Sequence, residues 1–277
     1  MTLEKIPLAG VIGSPIAHSR SPQLQLHWLK TMGLAGYYIP MDVATKDLPS
    51  VIAALPKQGF VGINVTIPHK EAVLDIADLV TDRATMIGAA NTLIFRKDGK
   101  IHADNTDGYG FFENLKAGAP HWNPKSAPAA VLGAGGASRA VVASLLDAGV
   151  PQVFITNRTR IRAEKLASDL GHRVKVVDWV HAPNMLDDAS LLVNTTSLGM
   201  VGKAELRMPL DGLRPDMVVN DLVYTPLKTR LLEEAEAAGC TSIDGLGMLL
   251  HQAVPGFERW FGKRPVVDNA ARNAALR

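Results

Sequence analysis

Two spacings of apolar residues alternate along this chain. One repeats every second residue and reads as strand; the other repeats every third or fourth and reads as helix. Strands are expected at PLAGVIG (7–13), AGYYIPMDV (35–43) and FVGINVTI (60–67). Between them SPQLQLHWLKTMG (21–33), entered after a serine cap, and DLPSVIAALPKQG (47–59) read as helices. In the third strand Val61, Ile63, Val65 and Ile67 alternate with smaller or polar residues. Pro68 has no N–H to donate, so the ladder should stop there. A helical stretch is expected from His69 to about Ile87, which puts Lys70 at a strand-to-helix junction. Such strand ends are where open α/β sheets bind ligands. NTLIFRKDGKIHADN (91–105) has the form of a hairpin turning at DGK.

A helix over GYGFFENLKAG (108–118) and the Pro-rich loop APHWNPKSAP (119–128) separate this half from a second run of the same rhythm. That run opens with the strongest pattern in the chain, APAAVLGAGGASRAVVASLLDAG (127–149): strand, Gly-rich turn, helix. PQVFITN, LLVNTTS, DMVVNDLVY and TSID follow as strands, with helices over TRIRAEKLASDLG and TPLKTRLLEEAEAAG. The chain closes with a helix over DGLGMLLHQAVPGFERWFG and a short tail. No internal repeat stands out. The restart of the rhythm predicts two domains, with a boundary between Asn105 and Pro128.

Composition agrees with layered α/β structure. Of 277 residues 47% are hydrophobic and only 5% aromatic, which suits parallel sheets covered by helices. A net charge of +2, without long basic runs, points to neither nucleic acid nor a membrane surface. The longest apolar stretch is broken by Arg139 and Asp147, and no targeting segment is visible. The single cysteine, Cys240, excludes an internal disulfide and reads as a small buried hydrophobe; a cytoplasmic location is the simplest expectation.

GAGGAS (133–138) lies between a strand and a helix, as a dinucleotide-binding turn does. Gly133 permits the tight turn, and Gly135 lets backbone approach a pyrophosphate at the helix N-terminus. Ala134, Gly136 and Ala137 complete the candidate cradle, and Ser138 stands where Gly or Ala is usual. The end of the next strand, ITNRTRIR, carries no acid to bond a ribose 2′-hydroxyl. It carries Asn157, Arg158, Thr159 and Arg162, a set that suits a 2′-phosphate and therefore NADP. An alternative is a basic helix surface with no ligand.

The first hundred residues place polar groups at element ends: Ser19, Ser21, Thr66, Lys70, Asn91, Asn105 and Asp107. Each has a local explanation. Ser21 could cap the helix at Pro22, Asn91 could serve a turn, and Asp107 could cap the next helix. Together they supply hydroxyls, amides, one amine and one carboxylate, a plausible site for a small polyhydroxylated acid. His18, His69, His102 and His251 flank the same motifs and are rival acids.

GSPIAHSRSP, GINVTIPHK, GAANTL, DNTDG, GAGGASR, NRT with Arg162, NTTSLGM and DGLGMLLHQA occur in the order and spacing of one family. The chain resembles the shikimate dehydrogenases over nearly its whole length. The resemblance implies an N-terminal α/β substrate-binding domain, a Rossmann domain for NADP, and C-terminal helices that return to the first domain. It would assign residues 1–106 and 245–277 to substrate and 107–244 to NADP. The implied activity is reversible, NADPH-dependent reduction of 3-dehydroshikimate to shikimate, a step toward aromatic amino acids. Carried over by motif, Lys70 and Asp107 form the catalytic pair. Ser19 and Ser21 bond the substrate carboxylate, Thr66, Asn91 and Gln252 hold ring hydroxyls, Tyr224 reaches the substrate, and Gly247 lies near the nicotinamide. Gln25 departs from a histidine found in many members. No metal site is implied, and a monomer or homodimer is expected. Rival readings are an NAD-linked quinate/shikimate dehydrogenase, a non-catalytic NADP-binding regulator of the same fold, and a reductase for another small hydroxy acid.

Overall fold

The computed structural model describes residues 6–277. It divides into two compact units, one of the described residues up to Thr106 with Leu250–Arg277, the other Asp107–Leu249.

The first unit is built on a six-stranded sheet in the order β2-β1-β3-β5-β6-β4. Strands β1 (Leu8–Gly13), β2 (Tyr37–Asp42) and β3 (Phe60–Val65) run parallel, with α1 (Ser21–Thr31) and α2 (Leu48–Ala54) in the crossovers. The expected hairpin is present as β5 (Thr92–Phe95) and β6 (Ile101–Asp104), antiparallel to each other, with β5 antiparallel to β3.

Three local expectations fail here. Residues 69–81 do not form a helix. A single 3₁₀ turn at Ala72–Leu74 is followed by β4 (Leu79–Val80), and only Asp82–Ile87 is helical, as α3. The Asp78 N–H donates to the Ile101 carbonyl at 3.0 Å, so pairing with the sheet edge outweighs helical spacing. Strand β3 stops at Val65, and Ile67 is 74% exposed rather than part of the core face. No serine caps α1: its N-cap is Arg20, without a side-chain bond, and Ser21 is already helical. The short tail contains a further helix, Asn269–Ala275, whose first turn is capped by Asp268, 2.8 Å from the Ala271 N–H. That helix is α9; α8 (Leu246–Phe261) precedes it. Within this unit the Trp260 indole donates to the Leu93 carbonyl at 3.2 Å, and Phe257 is fully buried. Burial of such a ring contributes about 1.5–3 kcal/mol.

The second unit holds six parallel strands in the order β12-β11-β10-β7-β8-β9. They are β7 (Ala129–Leu132), β8 (Val153–Thr156), β9 (Val174–Val176), β10 (Leu191–Asn194), β11 (Val218–Asp221) and β12 (Thr241–Ile243). Helices α4 (Asp107–Gly118), α5 (Gly136–Asp147), α6 (Arg160–Leu170) and α7 (Arg230–Ala237) complete it. Read from β7, the order is that of the doubly wound dinucleotide-binding sheet, which reverses direction between β7 and β10. The short β9 and a 3₁₀ stretch at Trp179–Leu186 were not expected. Helix α7 starts five residues later than its pattern suggested, because the Thr229 hydroxyl, not Thr225, accepts from the first turn at Leu232. Cys240 is buried as expected; its thiol donates to the Arg214 carbonyl at 3.0 Å, and burial pushes its pKa up.

Candidate active site

In the first unit the predicted polar residues converge on the ends of β1, β3, β5 and β6. The Thr66 N–H donates to the Ile12 carbonyl at 2.9 Å, and the Thr66 carbonyl accepts from the His69 N–H at 2.9 Å. Lys70 is half-buried in a turn, its carbonyl held by the Ala90 N–H at 2.7 Å. The backbone next to Asn91 therefore anchors Lys70 where no helix does. His69 is fully buried, and its Nε2 lies 2.7 Å from the Val43 carbonyl. A carbonyl only accepts, so Nε2 carries the proton and the ring is a local pin rather than an acid.

Asn91 is the hub. Its Nδ2 donates to Thr106 Oγ1 at 3.0 Å and to Gln252 Oε1 at 3.1 Å. Its Oδ1 accepts from the Thr106 N–H at 2.9 Å and from Thr92 Oγ1 at 3.0 Å. Thr106 Oγ1 also donates to the Gln252 carbonyl at 2.8 Å. Asn91, Thr106 and Gln252, far apart in sequence, thus form one cluster, and Asp107 follows directly on Thr106. Asp107 is buried as the first residue of α4.

Asp104, which the sequence reading passed over, pins the strand end before them. It accepts from Thr81 Oγ1 at 2.9 Å and from the Asn105 N–H at 2.7 Å, and it pairs with the Arg83 guanidinium. Burial acts to raise its pKa, but Arg83, Thr81 and the Asn105 amide outweigh it and hold the carboxyl low. Ser19 Oγ accepts from the Ser21 N–H at 3.4 Å. Ser21 is buried on the face of α1 that also buries Gln25, neither of whose amide atoms meets a partner among the described residues.

In the second unit the Gly-rich turn follows β7. Gly133 has φ +108°, and a Cβ there would sit 2.6 Å from Thr195 Oγ1. Gly135 and Gly136 are exposed and face open space at the start of α5. Ser138 is fully buried, and its hydroxyl donates to the Gly133 carbonyl, closing the turn from inside. This explains a hydroxyl at a position that usually holds Gly or Ala. Ala134 and Ala137 flank the turn half-buried.

A cavity of about 630 Å³ is lined by Asn157, Arg158, Trp179, Thr196, Ser197 and Arg207, among others. Among the described residues Arg158 and Arg162 form no ion pair, whereas Arg160, between them, binds Glu164 at 2.7 Å and also pairs with Asp178. Two of the three guanidiniums therefore remain for an anion, Thr159 is the N-cap of α6, and Asn157 Nδ2 donates to the Thr159 carbonyl at 2.9 Å. The exposed glycine turn and unpaired arginines fit a phosphorylated dinucleotide. Trp179 and Arg207 had no sequence signal; Thr196 and Ser197 lie in NTTSLGM, a stretch that matched the family without an assigned role.

Tyr224 is half-buried in the loop after β11. Asp221 organises that loop, accepting from Asn194 Nδ2 at 2.9 Å, the Val223 N–H at 3.0 Å and Thr229 Oγ1 at 2.6 Å. Among the described residues no cation joins these donors, and burial raises the Asp221 pKa against them. Gly247 has a packing reason of its own: a Cβ there would fall 1.7 Å from Asn114 Oδ1.

Three family models match: the shikimate dehydrogenase substrate binding domain over residues 11–93, shikimate/quinate 5-dehydrogenase over 117–207, and the shikimate 5′-dehydrogenase C-terminal domain over 245–269. A shikimate dehydrogenase (NADP(+)) of Cereibacter sphaeroides is 68% identical over 272 residues, 98% of each chain. The chain belongs to the shikimate dehydrogenase family. Among solved members, the Thermus thermophilus shikimate 5-dehydrogenase in complex with NADP(H) and shikimate has a TM-score of 0.86 and 38% identity, covering 97% of this chain and 98% of that one. A Corynebacterium glutamicum quinate dehydrogenase in complex with NAD has a TM-score of 0.90 at 33% identity, with the same coverage. The shikimate dehydrogenase fold, with its N-terminal α/β unit and Rossmann unit, is therefore shared with both.

Proposed function

We propose that this chain catalyses the reversible, NADPH-dependent reduction of 3-dehydroshikimate to shikimate, on the route to the aromatic amino acids. The observation that carries the reading is the 68% identity, over 98% of each chain, to a relative named as an NADP(+)-dependent shikimate dehydrogenase. The acid-free strand end at Asn157–Arg158 supports the choice of cofactor. When bound, NADPH supplies the hydride to the C3 carbonyl carbon.

The chain's own residues then have these tasks. Gly133, Ala134, Gly135, Gly136 and Ala137 offer backbone to the pyrophosphate. Asn157, Arg158, Thr159 and Arg162 would hold the 2′-phosphate, and Gly247 would lie near the nicotinamide. Ser19 and Ser21 donate to the substrate carboxylate, while Thr66, Asn91 and Gln252 hold ring hydroxyls and Tyr224 reaches the same molecule. The Lys70 ammonium protonates the C3 oxygen as charge develops on it, and Asp107 orients the lysine. Positioned acid–base groups contribute about 10²–10⁴-fold. Residues 1–106 with 245–277 serve the substrate and 107–244 the cofactor, in a cytoplasmic monomer or homodimer.

A spectrophotometric assay of the purified chain tests the reading, with shikimate and quinate each offered against NADP⁺ and NAD⁺. The expected outcome is a rate with shikimate and NADP⁺ well above the other three. Faster turnover of quinate with NAD⁺ would favour the quinate dehydrogenase reading; binding of NADPH without turnover would favour a regulator.

A further inference from the structure

Tyr38 lies on β2, far in sequence from Asn91, Thr106 and Gln252, yet its hydroxyl enters the same polar cluster. The ring is 1% exposed in an apolar cluster of Ala9, Val11, Ile16 and Trp260, its centroid 6.1 Å from that of Trp260. A phenylalanine would fill this space equally well. The oxygen is there for another reason: it donates to Asn64 Oδ1 at 2.7 Å.

From Asn64 the bonds run in one direction. Asn64 Nδ2 faces two acceptors, the Asn91 carbonyl at 3.1 Å and Thr92 Oγ1 at 3.3 Å. Its Oδ1 must therefore be the end that meets Tyr38. Thr92 Oγ1 donates on to Asn91 Oδ1 at 3.0 Å, and Asn91 Nδ2 donates to Gln252 Oε1 at 3.1 Å. With Oε1 engaged, the Gln252 amide turns its nitrogen away from Asn91. The donor direction at Gln252 is thus continuous with the phenol on β2. Asn64, Asn91 and Thr92 are all at most 5% exposed, so each unmade bond in the chain would cost its full desolvation. Ser21 also lies against the phenol: burial pushes the Tyr38 pKa up, and a hydrogen bond with Ser21 opposes it.

We propose that Tyr38 is a positioning residue for substrate, fixing the Asn91 and Gln252 amides through Asn64 without touching the substrate itself. This rests on the reading that Asn91 and Gln252 hold ring hydroxyls. Removing the phenol oxygen leaves Asn64 Oδ1 buried and unpaired. Relief by rotation of Asn64 breaks its bonds to Asn91 and Thr92.

The test is steady-state kinetics of Tyr38→Phe, with Val11→Ala as a core control from the same apolar cluster and Asn91→Ala as a control for the site. We expect Tyr38→Phe to raise KM for shikimate about tenfold, the equivalent of one lost buried partner, with kcat and KM for NADP⁺ within about twofold. Val11→Ala should lower Tm and leave KM for shikimate unchanged. If Asn91→Ala raises KM for shikimate and Tyr38→Phe does not, the role of Tyr38 is overturned and the site reading stands. If Asn91→Ala leaves KM unchanged, both are overturned. Equal KM increases in Tyr38→Phe and Val11→Ala would mark a merely structural role and also overturn the proposal.

Discussion

The two units prepare for their ligands in opposite ways. In the first, Asn64, Asn91, Thr92 and Thr106 are at most 5% exposed and are satisfied mainly by one another. In the second, Gly135, Gly136 and Arg162 are exposed, and Arg158, also exposed, lines a cavity of about 630 Å³. A small ring bearing several hydroxyls is distinguished by the direction of each hydrogen bond, which demands pre-aimed and therefore buried groups. A dinucleotide offers charge and length, which backbone amides and exposed guanidiniums hold without such preparation. Loss of a buried polar group from the first unit should therefore affect turnover or substrate selection, and loss of an exposed arginine from the second should affect cofactor affinity.

Lys70→Ala tests the first half of that contrast most severely. It should lower kcat by at least about 10³-fold with little change in KM for shikimate, as for an interaction made mainly in the transition state. Near-normal turnover would remove Lys70 from the chemistry. Arg158→Ala tests the second half. KM for NADPH should rise about 10–100-fold, the value of a charge-assisted hydrogen bond, while KM for NADH and kcat hold. A matching rise for NADH would show that the arginine does not read the 2′-phosphate.

The two buried aspartates sharpen the comparison through pH. Arg83 and its neighbours hold the Asp104 carboxyl low, so its contribution is present above the ordinary aspartate pKa of about 4 and is lost as pH falls through the lower folded value. Asp221 has no cation partner among the described residues and its pKa is raised by burial, so its ionisation weakens the fold as pH rises from the ordinary value toward the raised one. Arg83→Gln should lower Tm at neutral pH and make the acid limb of the Tm profile shallower. An unchanged acid limb would assign acid sensitivity to other carboxylates. The smallest expected effect is at Gln25, whose amide is buried with no partner among the described residues. Gln25→Met, similar in shape, should stabilise the protein by about 1 kcal/mol in denaturant titration; a loss of stability would mean that the amide is satisfied in solution.

Legibility followed range. GINVTIPHK was readable as a strand that ends at a site, but not the path of the chain after it, since a helical spacing at residues 69–81 yields to pairing with β6. The arginines of NRTRIR were readable as a group. That Arg160 is tied to Asp178 depends on a residue 18 positions away. Tyr38 gave no signal at all: a tyrosine in an alternating strand is indistinguishable from core until Asn64 is found beside its hydroxyl.

The alternation of periods, the glycine turn after β7, the missing acid after β8 and the family motifs were determined by the sequence alone. Each is a property of neighbouring residues, or of spacing that survives without a fold. The direction of every hydrogen bond from Tyr38 to Gln252, the division of labour among the arginines and the opposite pKa shifts of Asp104 and Asp221 were decided only in the tertiary structure. A donor's direction and a carboxylate's charge depend on which distant groups share its buried space, and only the packed strands determine that.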